Sequence, residues 1–165
     1  MFLNQKLDDG KPDSSVLPAR FVIADLETTG FSPERDEIIE IGAFCIDRAA
    51  GERTIFQTLV RPSTPLPPRI AQVTGLSDTL LKARGVPLRE ALDRFLAFLG
   101  DYRLVLFNAT FDMGFLEHAL ESTGMRMTNP VSCISRMARQ AWPGLPSYKL
   151  NQLAETGGLS VEGSH

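Results

Sequence analysis

Apolar and polar positions fall into distinct runs along the chain, and each run predicts an element. Residues 20–26 (RFVIADL) form an apolar stretch of strand length, and 38–46 (IIEIGAFCI) and 54–60 (TIFQTLV) are two more, the latter pair separated by the polar turn DRAAGER. Three strands joined this closely predict an antiparallel meander. After the proline-rich RPSTPLPP, apolar side chains at 88, 91, 92, 95, 96 and 99 repeat at helical spacing, with Pro87 ahead of them and Gly100 behind. Residues 104–107 predict a buried strand, and the apolar positions 111, 115, 116, 119 and 120 a helix over 111–120. A strand, a short loop and a helix in that order present side chains at the strand's C-terminal edge. Two short helices follow, around 134–140 and 149–155, the second capped by Ser147.

Composition sets the scale of this assembly. With 165 residues, 43% hydrophobic and 22% charged, the chain is long enough for one domain with a sizeable core and too short for two ordinary ones. Residues 4–15 are polar and carry Gly10, Pro12 and two serines, so residues 1–15 read as a flexible arm ahead of a domain over 16–165. The net charge of -3 and pI near 5.4 provide no basic field, and nucleic-acid binding would rest on local arginines or bound cations. Cys45 and Cys133 lack metal or disulfide spacing and read as reduced core residues. Neither an apolar leader nor an 18-residue apolar run occurs, which reads as a cytoplasmic protein without a membrane span.

The first strand ends in ADLETTG, and this end changes the picture. Residues two apart in a strand share a face, so Asp25 and Glu27 bring two carboxylates together while Leu26 points into the core. Such a pair repels unless a cation or a proton intervenes, and clustered hard oxygens suit Mg²⁺ or Mn²⁺. Two solvated acids at a strand end are the ordinary alternative. Thr28, Thr29 and Gly30 weigh against it, since they offer hydroxyls, backbone N–H groups and a glycine able to take positive φ in a turn that could approach an anion. Asp112 supplies a third carboxylate, held by Phe111 and Phe115 near the end of the strand over 104–107. On its own, Asp112 would need no explanation beyond the preference of acids for a helix's first turn.

These motifs resemble those of the DEDD-family 3′–5′ exonucleases, which include the proofreading epsilon subunits of bacterial replicative polymerases. Residues 25–30 (DLETTG) match the first exonuclease motif, and 108–112 (NATFD) with 114–116 (GFL) match the second; EIGA at 40–43 and VTGL at 73–76 resemble weaker signatures. The resemblance implies an α/β, ribonuclease H-like fold: a mixed central sheet with an antiparallel three-strand meander, flanked by helices. It also implies two-metal hydrolysis that releases 5′-monophosphates from a single-stranded or frayed 3′ end, of DNA in the first place and RNA in the second, with a polymerase as a possible partner. By the same resemblance Asp25 bridges two Mg²⁺ or Mn²⁺ ions, Glu27 and Asp112 are further ligands, and Thr28, Thr29, Asn108 and Phe111 lie near the terminal nucleotide. Phe107 departs from the pattern, since many relatives have histidine there.

The family's third motif pairs a tyrosine with aspartate four residues on, or a histidine with aspartate five residues on. Tyr148 is followed by Gln152 and His118 by Thr123, so neither completes it. The resemblance leaves His165 as the general base, an imidazole suited to proton transfer near neutrality. The aspartate five positions further on, and its helix, would lie past residue 165, and the expectation is a chain that binds metal weakly without them. Two other readings use the same acids: a catalytically silent relative that binds nucleic acid or a polymerase, and a metal-dependent phosphatase. Arg61, Arg69, Arg84, Arg136, Arg139 and Lys149 could contact phosphates but read first as a solvated face, and Trp142 reads as a loop residue packed on the core, with base stacking as its alternative use.

Overall fold

The computed structural model describes residues 17–159. Strand β1 (Arg20–Thr28) lies at the centre of a five-stranded sheet of order β3-β2-β1-β4-β5. It pairs antiparallel with β2 (Ile38–Asp47), which pairs antiparallel with β3 (Glu52–Leu59). This is the meander that the closely spaced strands predict. On its other side β1 pairs parallel with β4 (Arg103–Leu106), and β4 pairs parallel with β5 (Val131–Cys133), a strand of three residues that the apolar pattern does not announce.

One face of the sheet is covered by α3 (Leu88–Leu99) and α4 (Ala109–Thr123). Val22, Ala24 and Leu26 of β1 alternate onto that face and pack with Leu92, Phe95, Leu99, Phe115 and Leu116 in the main core. Each of the larger side chains, fully buried, contributes about 1.5–3 kcal/mol of transfer free energy. A second, smaller core joins Ile39, Leu66, Leu76 and Leu81 beneath α1 (Pro68–Thr74) and α2 (Asp78–Arg84). The β1–β2 register accounts for the division: Glu27 faces Glu40 and Thr28 faces Ile38, so Ile39 is the extra residue of a bulge and joins the second core.

Helix α1 is hidden by proline, and α2 is too short to show a helical period. Pro68 stands at the first turn of α1, where a missing N–H costs nothing, so the proline-rich run starts a helix. After α5 (Ile134–Ala141), α6 (Leu150–Thr156) begins one residue later than the pattern predicts, and its cap differs. Lys149 occupies the N-cap position without a side-chain bond; Ser147 Oγ instead accepts from Lys149 N at 3.3 Å, a turn before the helix. Cys133 is buried and Cys45 half-buried, and both are free thiols. Trp142 does not pack into the core: it is 41% exposed at the end of α5. Among the described residues no helix is long and apolar enough to cross a membrane.

Candidate active site

Strand β1 outruns its parallel neighbour. Pairing with β4 stops at Ala24 opposite Leu106, and the chain then turns through Phe107 and Asn108 into α4, leaving the last residues of β1 beside the start of that helix. Asp25 and Glu27 project from this end on one face of the strand. Asp112, in the first turn of α4 and only 3% exposed, is held there by its buried neighbours Ala109, Met113, Phe115 and Leu116. The expected acids Asp25, Glu27 and Asp112 therefore occupy one end of the sheet.

The electrostatics register how close they are. Burial, and next the charge of Asp25, raise the Asp112 carboxyl to about 7, against the opposing pull of its own N–H and that of Leu26. Burial also raises Asp25, which the Leu26 N–H opposes and Glu40 reinforces. Glu27 is raised by burial, then by Asp25, then by Glu40. Leu26 thus turns its side chain into the core while its N–H favours the charged form of two carboxylates. Among the described residues none of these acids has an ion-pair partner. Nor are any three His, Cys, Asp or Glu side chains among those residues gathered tightly enough to ligate one ion. Carboxylates without a counter-charge repel, so drawing them onto an ion requires side-chain rotation. As a donor set, hard carboxylate oxygens at one end of the sheet, without a cation of their own among the described residues, fit a divalent magnesium-like ion.

The turn after β1 works differently from its sequence reading. Gly30 does not have positive φ. Its requirement is space: a Cβ there would lie 2.5 Å from Asp36 Cγ, because the Asp36 carboxylate folds back to accept from Ser32 N at 2.8 Å. Thr28 and Thr29 are buried, and their hydroxyls are engaged within the loop. Thr28 Oγ1 donates to Gly30 O at 2.6 Å, and Thr29 Oγ1 accepts from Glu37 N at 2.9 Å while Thr29 N donates to Glu37 O. Glu37 in turn accepts from Ser63 N. Gly30→Ala is expected to cost about 1–3 kcal/mol in urea unfolding through this overlap. Gly42→Ala, where nothing lies within 4 Å of the new Cβ, should stay within about 0.5 kcal/mol.

Asn108 is exposed at the N-cap position of α4, makes no side-chain cap bond, and has an amide without a hydrogen-bond partner among the described residues. Phe111 is half-buried and stands 5.1 Å from Phe115 and 6.3 Å from Phe31, centroid to centroid. Phe31, 81% exposed at the tip of the turn, was not singled out by sequence; an aromatic immediately after a conspicuous motif was its only signal. Pro33 packs against Gly114 of α4, so the turn and the helix meet beside the acids. Glu40 stands in the sequence only within the weak signature EIGA, and its charge couples to both Asp25 and Glu27. His165 lies outside the described residues. Of the scattered bases, Arg61 is committed to Gly85 O at 2.9 Å, and Arg139 stacks over the Tyr148 ring at 4.3 Å.

Residues 22–165 match the protein family described as Exonuclease (RNase_T). The chain is 33% identical over 156 residues to the DNA polymerase III subunit epsilon of Aquifex aeolicus, covering 94% of this chain and 76% of that protein. It is 37% identical over 146 residues to the PolC-type DNA polymerase III of Clostridium perfringens, of which it spans only 10%. Among solved structures, E. coli exonuclease I in complex with a dA16 oligonucleotide superposes with a TM-score of 0.73 at 18% identity, over 87% of this chain and 37% of that one. That likeness concerns the fold: the mixed sheet flanked by helices is the ribonuclease H-like arrangement of these nucleases.

Proposed function

The chain belongs to the exonuclease family, and from this premise we propose that it hydrolyses nucleic acid from free 3′ ends, releasing nucleoside 5′-monophosphates, with DNA as the favoured substrate. The observation that carries the reading is the placement of Asp25, Glu27 and Asp112 at the open end of β1, with Asp25 electrostatically coupled to each of the others and no counter-cation among the described residues. These carboxylates would hold Mg²⁺ or Mn²⁺, and Asp25 is near enough to the other two for its charge to act on both Glu27 and Asp112. Two such ions, when bound, supply a nucleophilic water and stabilise the departing 3′ oxygen.

The protein's own groups do the positioning. The Asn108 amide would donate to the terminal nucleotide, which its lack of a cap bond supports, and Phe111 with Phe31 would offer aromatic surface for the base. Thr28 and Thr29 act by fixing the turn through their hydrogen bonds. His165 would accept the proton of the attacking water. We assign residues 16–165 to the exonuclease domain and 1–15 to an arm ahead of it. The names of the relatives support DNA and a polymerase partner, and a cytoplasmic place of work is part of the same proposal.

The test is digestion, side by side, of 3′-labelled single-stranded and mismatched DNA and RNA in Mg²⁺ and Mn²⁺. Mononucleotide release from linear DNA is expected, faster than from RNA, with a closed single-stranded circle left intact. Efficient cutting of the circle would show an endonuclease.

A further inference from the structure

The proposed cation site leaves one nearby acid without a role. Glu27 and Glu40 are direct partners across the antiparallel β1–β2 pair. Opposed side chains in such a pair share a face with Cβ atoms about 4.5–5.5 Å apart, and like charges there are destabilising. Asp25 is on the same face, opposite Gly42, and Gly42 faces Gln57 of β3. Because Gly42 has no side chain, the face is open at that point, with nothing within 4 Å of where a Cβ would stand. Gln57 reaches along the sheet past this gap, and its Nε2 donates to Glu40 Oε1 at 2.5 Å.

The arrangement is hard to explain as packing alone. A bulge immediately after the pair, at Ile39, shows that the β1–β2 register is not rigidly periodic here, yet the two glutamates remain opposed. Neither has a cationic partner among the described residues, and the hydrogen bond from Gln57 is neutral and engages one oxygen. A fixed negative charge beside two carboxylates is unfavourable in the empty site and favourable once a divalent cation is present.

We infer that Glu40, oriented by Gln57, is a positioning residue of the cation site: it acts through Glu27 and Asp25 to strengthen their hold on a divalent ion. This rests on the proposed metal site and adds to it a residue from a second strand. In Glu40→Gln the amide oxygen still accepts from Gln57, so the variant removes the charge and keeps the contact.

Mn²⁺ titration by calorimetry or electron paramagnetic resonance, on wild type, Glu40→Gln, Gln57→Ala and Asp25→Asn, provides the test. Expected are an affinity about tenfold weaker in Glu40→Gln, a smaller loss in Gln57→Ala, and a raised melting temperature of metal-free Glu40→Gln as repulsion is relieved. Substrate KM at saturating metal should be unchanged. Wild-type Mn²⁺ affinity in Glu40→Gln, with binding lost in Asp25→Asn, would overturn the role of Glu40 alone. Undiminished binding in Asp25→Asn would overturn the metal site itself, and this inference with it.

Discussion

Asp25→Asn and Asp112→Asn are each expected to lower hydrolysis of a 3′-labelled strand by more than about a hundredfold, while the protein remains folded. Losing a group that only orients a metal ligand costs about ten- to a hundredfold, and loss of a ligand should exceed that. Asparagine keeps the shape of the side chain and one of its oxygens and removes the charge, so the result isolates charge from packing. The two positions also test different parts of the fold. Asp25 is a β1 residue and Asp112 belongs to α4, so equal loss at both would support a site assembled across the open end of the sheet. Single-turnover digestion at saturating Mg²⁺ measures the effect. Near-wild-type rates in either variant would remove that residue from the machinery, and a cold-shifted melting curve in metal-free buffer would make the acid structural.

The acids Asp25, Glu27 and Asp112 were legible because the first two break a strong local pattern and the third gains meaning beside them. Two acids in an otherwise apolar strand stand out against its alternation, whereas Asp112, an ordinary first-turn acid by itself, gains weight from that pair and from the two phenylalanines that place its helix. What escaped the sequence depends on contacts between distant segments. Pro68 could as well have ended an element as begun one, and it starts α1 because Ile70 beyond it packs on the second core. Three residues are too few for β5 to show a period. Gly30 was read for its backbone freedom, while the structure requires its small size against Asp36, six residues away. The Thr28 and Thr29 hydroxyls could have met substrate or chain, and local sequence does not decide between them; in the fold they close the loop. Phe31 and Glu40 were visible as residue types, but exposure of the first and the strand register of the second exist only in three dimensions.

Without divalent metal the protein should lose stability as pH rises from about 4 to about 7, and Asp112→Asn should flatten that slope. In the folded state the Asp112 carboxyl is raised to about 7, burial first and the Asp25 charge second, whereas in an unfolded chain an aspartate titrates near 4. Below the unfolded value both states are protonated and the site exacts no penalty. Between the two values the unfolded chain has released its proton and the folded one retains it, so folding takes up a proton and stability falls with pH. Above the folded value the carboxylate is charged in both states, and the full penalty, on the order of a few kcal/mol, is in place. Asp25 and Glu27 are raised as well and act in the same direction. A divalent cation favours the charged forms and should restore stability most at the higher pH. Urea unfolding in EDTA at pH 5 and pH 8, repeated with Mn²⁺, reads both effects. If wild type and Asp112→Asn share one pH profile, the buried carboxyl is not its source. If Mn²⁺ stabilises equally at both pH values, the cation does not bind through groups that must first lose a proton.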